Sequence, residues 1–124
     1  MKEIFYEATS YNQSLGSWNT SSVTAMKHMF YKATSFNQNI NSWNVSNVVD
    51  FSQMFRDATS FNQSISSWNL SSAEEMGSMF QNATSYNQDL SGWNVSGVTG
   101  CRFFSSGASS WSLSKPNFTN CNPN

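Results

Sequence analysis

Charge is the scarcest property of this 124-residue chain: six Lys and Arg stand against seven Asp and Glu, 10% of all residues. With no basic stripe to neutralise phosphates or hold the chain on anionic lipid, nucleic acid and membrane surfaces are not expected partners. No apolar run of about 18 residues occurs, so no membrane insertion is expected, and the first residues lack the basic and apolar regions of a signal peptide. Metal-binding side chains are few. His28 is the only histidine, Cys101 and Cys121 are the only cysteines, and Asp50, Asp57 and Asp89 occupy unrelated positions, so no metal site is expected. Neither a phosphate-cradling glycine loop nor a serine nucleophile elbow is present, which leaves no candidate catalytic or cofactor-binding residue and points away from an enzyme.

Uncharged polar side chains fill the space that charges leave. Ser occurs 25 times and Asn 16 times, a third of the molecule. Such a bias alone suits disorder, but 10 Phe, 5 Trp and 4 Tyr supply far more apolar surface than disordered chains carry. The length is that of one domain.

The aromatics recur with a period of 25 residues and no insertion. Phe5, Phe30, Phe55 and Phe80 share one register; Ala8, Ala33, Ala58, Ala83 and Ala108 share another. Then follow Tyr11, Phe36, Phe61, Tyr86 and Trp111, and Asn12, Asn37, Asn62 and Asn87, each Asn followed by Gln. Leu15, Ile40, Ile65 and Leu90 form an aliphatic column, and Trp18, Trp43, Trp68 and Trp93 a tryptophan column with Phe118 in register. A fixed period in this range means that each repeat is one coil, unable to bury its apolar face alone, which it buries against its neighbours.

Within a coil the apolar spacing changes. Val23, Met26, Met29, Phe30 and Ala33 have the spacing of one buried helix face, with Ser21 or Ser22 as cap and, in the third coil, Glu74 and Glu75 in the first turn. This places His28 on the solvent side of that helix. Around Trp43 the alternation of Trp43 and Val45 with Ser42, Asn44 and Ser46 suggests a short strand, one per coil, in a parallel sheet. A buried Asn column at Asn12, Asn37, Asn62 and Asn87 is expected to satisfy backbone groups of its own and the next coil.

Ile40-x-x-Trp43-x-Val45-x-x-Val48 is similar to the strand portion of a leucine-rich repeat, with Trp in place of the central leucine. The longer unit from Met29 to Val48, Met-Phe-x-x-Ala-Thr-Ser-Phe-Asn-Gln-x-Ile-x-Ser-Trp-Asn-Val-Ser-x-Val, resembles BspA-like surface-protein repeats over residues 1–100. The expected fold is therefore an α/β repeat, a right-handed leucine-rich-repeat-like solenoid of about five coils with one short parallel strand and one short helix each. The resemblance implies a secreted or surface-displayed module for adhesion or protein interaction, and no catalytic residues.

Residues 1–100 are expected to form four coils. Met1 shares the register of Met26 and Met76, so the chain opens inside a repeat, as a fragment of a longer array with an uncapped N-terminal end. The open end suggests self-association, head to tail. Residues 101–124 diverge: Ser105 stands in the Phe column, Phe104 lies one place earlier, Lys115 replaces the aliphatic residue, and Pro116 and Pro123 block continuation. These residues are expected to form a fifth coil and a C-terminal cap. A disulfide between Cys101 and Cys121 would fold the tail over the last coil and stabilise by roughly 3 kcal/mol, the alternative being two free thiols.

Outward-facing columns supply the candidate binding face: Ser17, Asn19, Ser21, Ser42, Asn44, Ser46, Ser67, Asn69, Ser71, Asn94 and Ser96. Regular hydroxyl and amide groups suit a protein or glycan on a surface, through many weak hydrogen bonds with avidity from length. Asn19, Asn44, Asn69 and Asn94 also lie in Asn-x-Ser/Thr sequons, four of eight in the chain, and are candidate glycosylation sites. A filament subunit stacked end to end and an ice-binding protein are the alternative readings of the same regular surface.

Overall fold

The computed structural model describes all residues, 1–124, as a stack of coils in 25-residue register. One coil, residues 26–50, serves for all. Turns at 27–32 and 34–35 lead into an irregular stretch, two further turns follow at 41–42 and 46–47, and a single bridge residue, Asp50, closes it. The bridges are isolated and parallel: Ala25 to Asp50, Asp50 to Glu75, and Glu75 to Gly100.

The expected helix and strand in each coil do not form, which overturns the α/β, leucine-rich-repeat-like reading. No residue is helical, and the only strand-type pairing is those bridges, away from the tryptophan segment. Hydrogen bonding shows why the helix is absent. Amides of Met29, Tyr31 and Ala33 bond three residues back, to Met26, His28 and Phe30, whereas that of Met26 reaches Asp50 at the coil's end and those of His28, Phe30 and Lys32 cross to Ser52, Met54 and Arg56 of the next coil. Alternate amides thus serve alternate coils, and no ladder four residues back can close. Space forbids it too. Phe30 and Phe55, and Phe55 and Phe80, are 5.6 and 5.3 Å apart between ring centroids, while a helix with its side chains is about 10–12 Å across.

The turns are sharp because two residues per coil have left-handed backbone. His28 and Lys32 have φ of 58° and 55°, and Glu3, Glu7, Gln53, Asp57, Ser78, Asn82 and Phe103 repeat them in register. In the turns 26–29 and 30–33 these are the third residues, where a type II turn requires positive φ. Only the last coil supplies a glycine there, Gly107 at 76°.

Around Trp43 the chain forms no strand, with Trp43 and Val45 buried and Asn44 exposed, and no backbone–backbone bond joins these residues to another coil. Side chains make the bonds between coils instead. Trp43, Trp68 and Trp93 donate Nε1–H to the carbonyls of Leu15, Ile40 and Ile65 one coil earlier, at 2.9, 3.1 and 3.0 Å. Those carbonyls also accept the amides of Trp18, Trp43 and Trp68 in their own coils, so the oxygens a sheet would need are already occupied. Trp68 and Trp93 are 6.4 Å apart with rings 5° from parallel.

The interior is one cluster of 31 buried hydrophobic residues arranged as columns. Phe30, Phe55 and Phe80 stack in one, Phe36, Phe61 and Tyr86 in another, and neighbouring columns touch, as at Phe55 and Phe61, 4.2 Å apart. Trp18 is 37% exposed, against 4–5% for Trp43, Trp68 and Trp93. In the last coil Phe104 fills the core from its shifted position, Trp111 meets Phe80 and Tyr86 edge-on, and Phe118 packs edge-on against Phe104 at 4.9 Å. Cys101, buried, is disulfide-bonded to Cys121, and no free thiol remains.

Candidate binding face

In each coil the segment after Trp makes the same local turn. Asn44 Oδ1 accepts from the Ser46 amide at 3.0 Å and the Ser46 hydroxyl at 2.6 Å; Asn19 Oδ1 accepts from Ser21 in the same way, at 3.1 and 2.7 Å. Asn69 and Asn94 accept the amides of Ser71 and Ser96 at 3.0 and 3.1 Å. These are Asx turns, in which a short side-chain carbonyl replaces a backbone one. They give the column a direction of hydrogen bonding. The acceptor of every Asn is engaged inside the protein, while its Nδ2 donor, on an exposed side chain, meets no protein acceptor.

The other candidate positions flank this column. Ser17, Ser42, Ser67, Ser71 and Ser96 are exposed, and Ser21 and Ser46 half-buried. Ser42 Oγ donates to Gly16 O at 3.2 Å, and Ser67 Oγ lies 2.8 Å from Asn41 O and 2.7 Å from Asn41 Oδ1. Asn47 Nδ2 donates to Ser21 O at 2.7 Å and Thr20 Oγ1 to Asn44 O at 2.9 Å, which ties adjacent coils together beneath the Asn column. The contributions of Asn41 and Asn47 were not legible in the sequence. Gly16, Ser66 and Ser91, and Ser22, Ser72 and Gly97, occupy their registers elsewhere, so no column marks them.

The Asn-Gln columns join coils, although their side chains are partly or fully exposed and not buried as the sequence suggested. Oδ1 of Asn12, Asn37 and Asn62 accepts the amide of the next coil's Asn at 2.8–2.9 Å, and Gln38, Gln63 and Gln88 return Nε2–H to the same oxygens. Asn87 ends the series on the amides of Ser112 and Leu113.

Charges gather on the turn half. His28 Nδ1 lies 3.2 Å from Glu3 Oε1, Lys32 Nζ 3.6 Å from Glu7, and Arg56 Nε 3.5 Å from Asp57. His28, expected on a solvent-facing helix, sits on a turn with its ring edge-on to Tyr6 and Tyr31. The pKa of Asp89 is lowered by the hydrogen bonds its carboxylate accepts from the Ser91 hydroxyl and backbone amide. No three His, Cys, Asp or Glu side chains come together as a metal cluster. The single concavity is an open depression lined by Ala8, Thr9, Ser10, Tyr11, Asn12 and Gln13.

A family model described as "Mycoplasma protein of unknown function, DUF285" matches residues 1–118. No curated protein and no solved structure matches the chain.

Proposed function

The chain belongs to that family, and from this premise we propose that it is a non-enzymatic binding module working outside the cell, with the Ser/Asn face as its contact surface. The observation that carries the reading is the Asn19, Asn44, Asn69 and Asn94 column, exposed and uncharged, with the same donor left unbonded in each coil. Repetition turns a weak contact into a useful one, since each further coil engaged adds to avidity without a new kind of contact. The Cys101–Cys121 disulfide supports an oxidising, extracellular setting. The likeness of the Met29–Val48 unit to BspA-like surface repeats supports adhesion as the role. In this reading residues 1–100 are the array and residues 101–124 the coil and tail that cover its end.

The test is a screen of the intact protein against immobilised glycans and purified surface proteins, repeated with Asn44→Asp and with Lys27→Gln. Binding is expected to fall for the first and persist for the second. The reverse pattern would move the contact surface to the charged half.

A further inference from the structure

The geometry points to a definite ligand class for this face: an extended, uncharged, acceptor-rich polysaccharide lying along the stack, best an N-acetylated one. The inference rests on the binding-face reading above and deepens it. Its first support is the direction of the free hydrogen bonds. The Asx turns consume Oδ1 of Asn19, Asn44, Asn69 and Asn94 and leave Nδ2–H, so the face calls for acceptors. Ser21 and Ser46 donate their hydroxyl protons to Asn19 and Asn44 and keep only lone pairs for another partner, which fits ligand hydroxyls able to donate as well as accept.

The second support is repetition. The donor recurs at one position per coil, each time on the residue after a tryptophan of the stacked column. A ligand that satisfies every coil must itself repeat along its length, as a linear polymer of pyranose rings does. Amide carbonyls on N-acetylated rings are the strongest neutral acceptors such a polymer offers.

The third is what the face lacks. Protein partners are held by Trp, Tyr and Arg anchors in desolvated pockets, and Ser is under-represented among such anchors. Trp43, Trp68 and Trp93 are all but buried, and the candidate face is Ser and Asn throughout. With no cation in these columns, an anionic polymer gains nothing over a neutral one.

Asn→Asp substitution separates the ligand question from folding, because the carboxylate keeps the oxygen that caps the Asx turn and puts a charged acceptor where the donor was. The experiment is titration of the intact protein with β-linked N-acetylglucosamine oligomers of increasing length, for wild type, Asn44→Asp, Asn69→Asp, and Asn44→Asp/Asn94→Asp, with Lys27→Gln as control. Thermal melts accompany each, and Asn69→Asp stands in should Asn44→Asp unfold. Affinity is expected to rise with oligomer length. Each single Asp is expected to weaken the longest oligomer by about three- to tenfold, the double variant by more, and Lys27→Gln not at all. A monosaccharide binding as tightly as the polymer, or sulfated polymers binding better at physiological salt, would overturn the ligand class. So would silence of all neutral oligomers beside a purified protein ligand whose binding is lost in Asn44→Asp, an outcome that keeps the face. Oligomer binding indifferent to all three Asp variants would overturn the face itself.

Discussion

Tyr86 carries the clearest cost at the scale of single residues. It stands where coils two and three have Phe36 and Phe61, wholly buried, and its hydroxyl has no partner. Burial raises its pKa, since the phenolate would have to form inside the core. Tyr86→Phe is therefore expected to stabilise by about 1 kcal/mol in urea denaturation. With the folded pKa raised, this group's contribution is fully present below the unfolded value and is lost as pH climbs past it toward the folded one. Wild type is accordingly expected to lose more stability above about pH 10 than Tyr86→Phe does; parallel curves would show that the phenol ionises in place. Ser78 is a second test. Its φ is 55° and its hydroxyl makes no bond within the protein, so Ser78→Gly is expected to gain about 0.5 kcal/mol and Ser78→Val to lose about 2 kcal/mol. The Asn columns were legible in the sequence because one residue type recurs. The left-handed positions were not. Glu3, His28, Gln53, Ser78 and Phe103 share one of them without sharing any chemistry, and the glycine that would have announced the turn occurs only as Gly107.

Elements were where pattern and structure parted. Met26, Met29, Phe30 and Ala33 do share a buried face, but that spacing is equally met by consecutive turns whose alternate amides point to the next coil. Periodicity within one coil could not show that the acceptors for Met26, His28, Phe30 and Lys32 lie 24 residues on. The tryptophan segment misled in a related way. Its alternation records which side chains are buried, correctly for Trp43, Asn44 and Val45, while the pairing that makes a sheet is replaced by indole and amide groups. Asn62 tests that replacement. Its Oδ1 holds the Asn87 amide at 2.8 Å and Gln88 Nε2 at 3.1 Å. Asn62→Ala is expected to cost about 1 kcal/mol, whereas Asn62→Asp, which retains the acceptor, should cost less than half of that. Equal losses would assign the column to some other role than bridging coils.

For the whole molecule, the 25-residue register seen in the sequence is the register of the stack, and it brings like residues together as columns through a core shared by every coil. The last coil departs from the pattern and is tied by Cys101–Cys121, a loop with a sequence separation of 20. Replacing both with Ala is expected to cost about 3 kcal/mol on loop-closure grounds, visible as a lower denaturation midpoint that reducing agent reproduces in the wild type. Stacking of non-helical coils underlies the donor column and everything proposed to bind it. Scalar couplings across hydrogen bonds, measured by NMR on isotope-labelled protein, test it most directly. Couplings are expected from the Phe30 amide to the Met54 carbonyl and from Phe55 to Met79, one coil onward. Couplings from Phe30 to Met26 and from Phe55 to Phe51, four residues back, would contradict the stack and restore a helix to each coil.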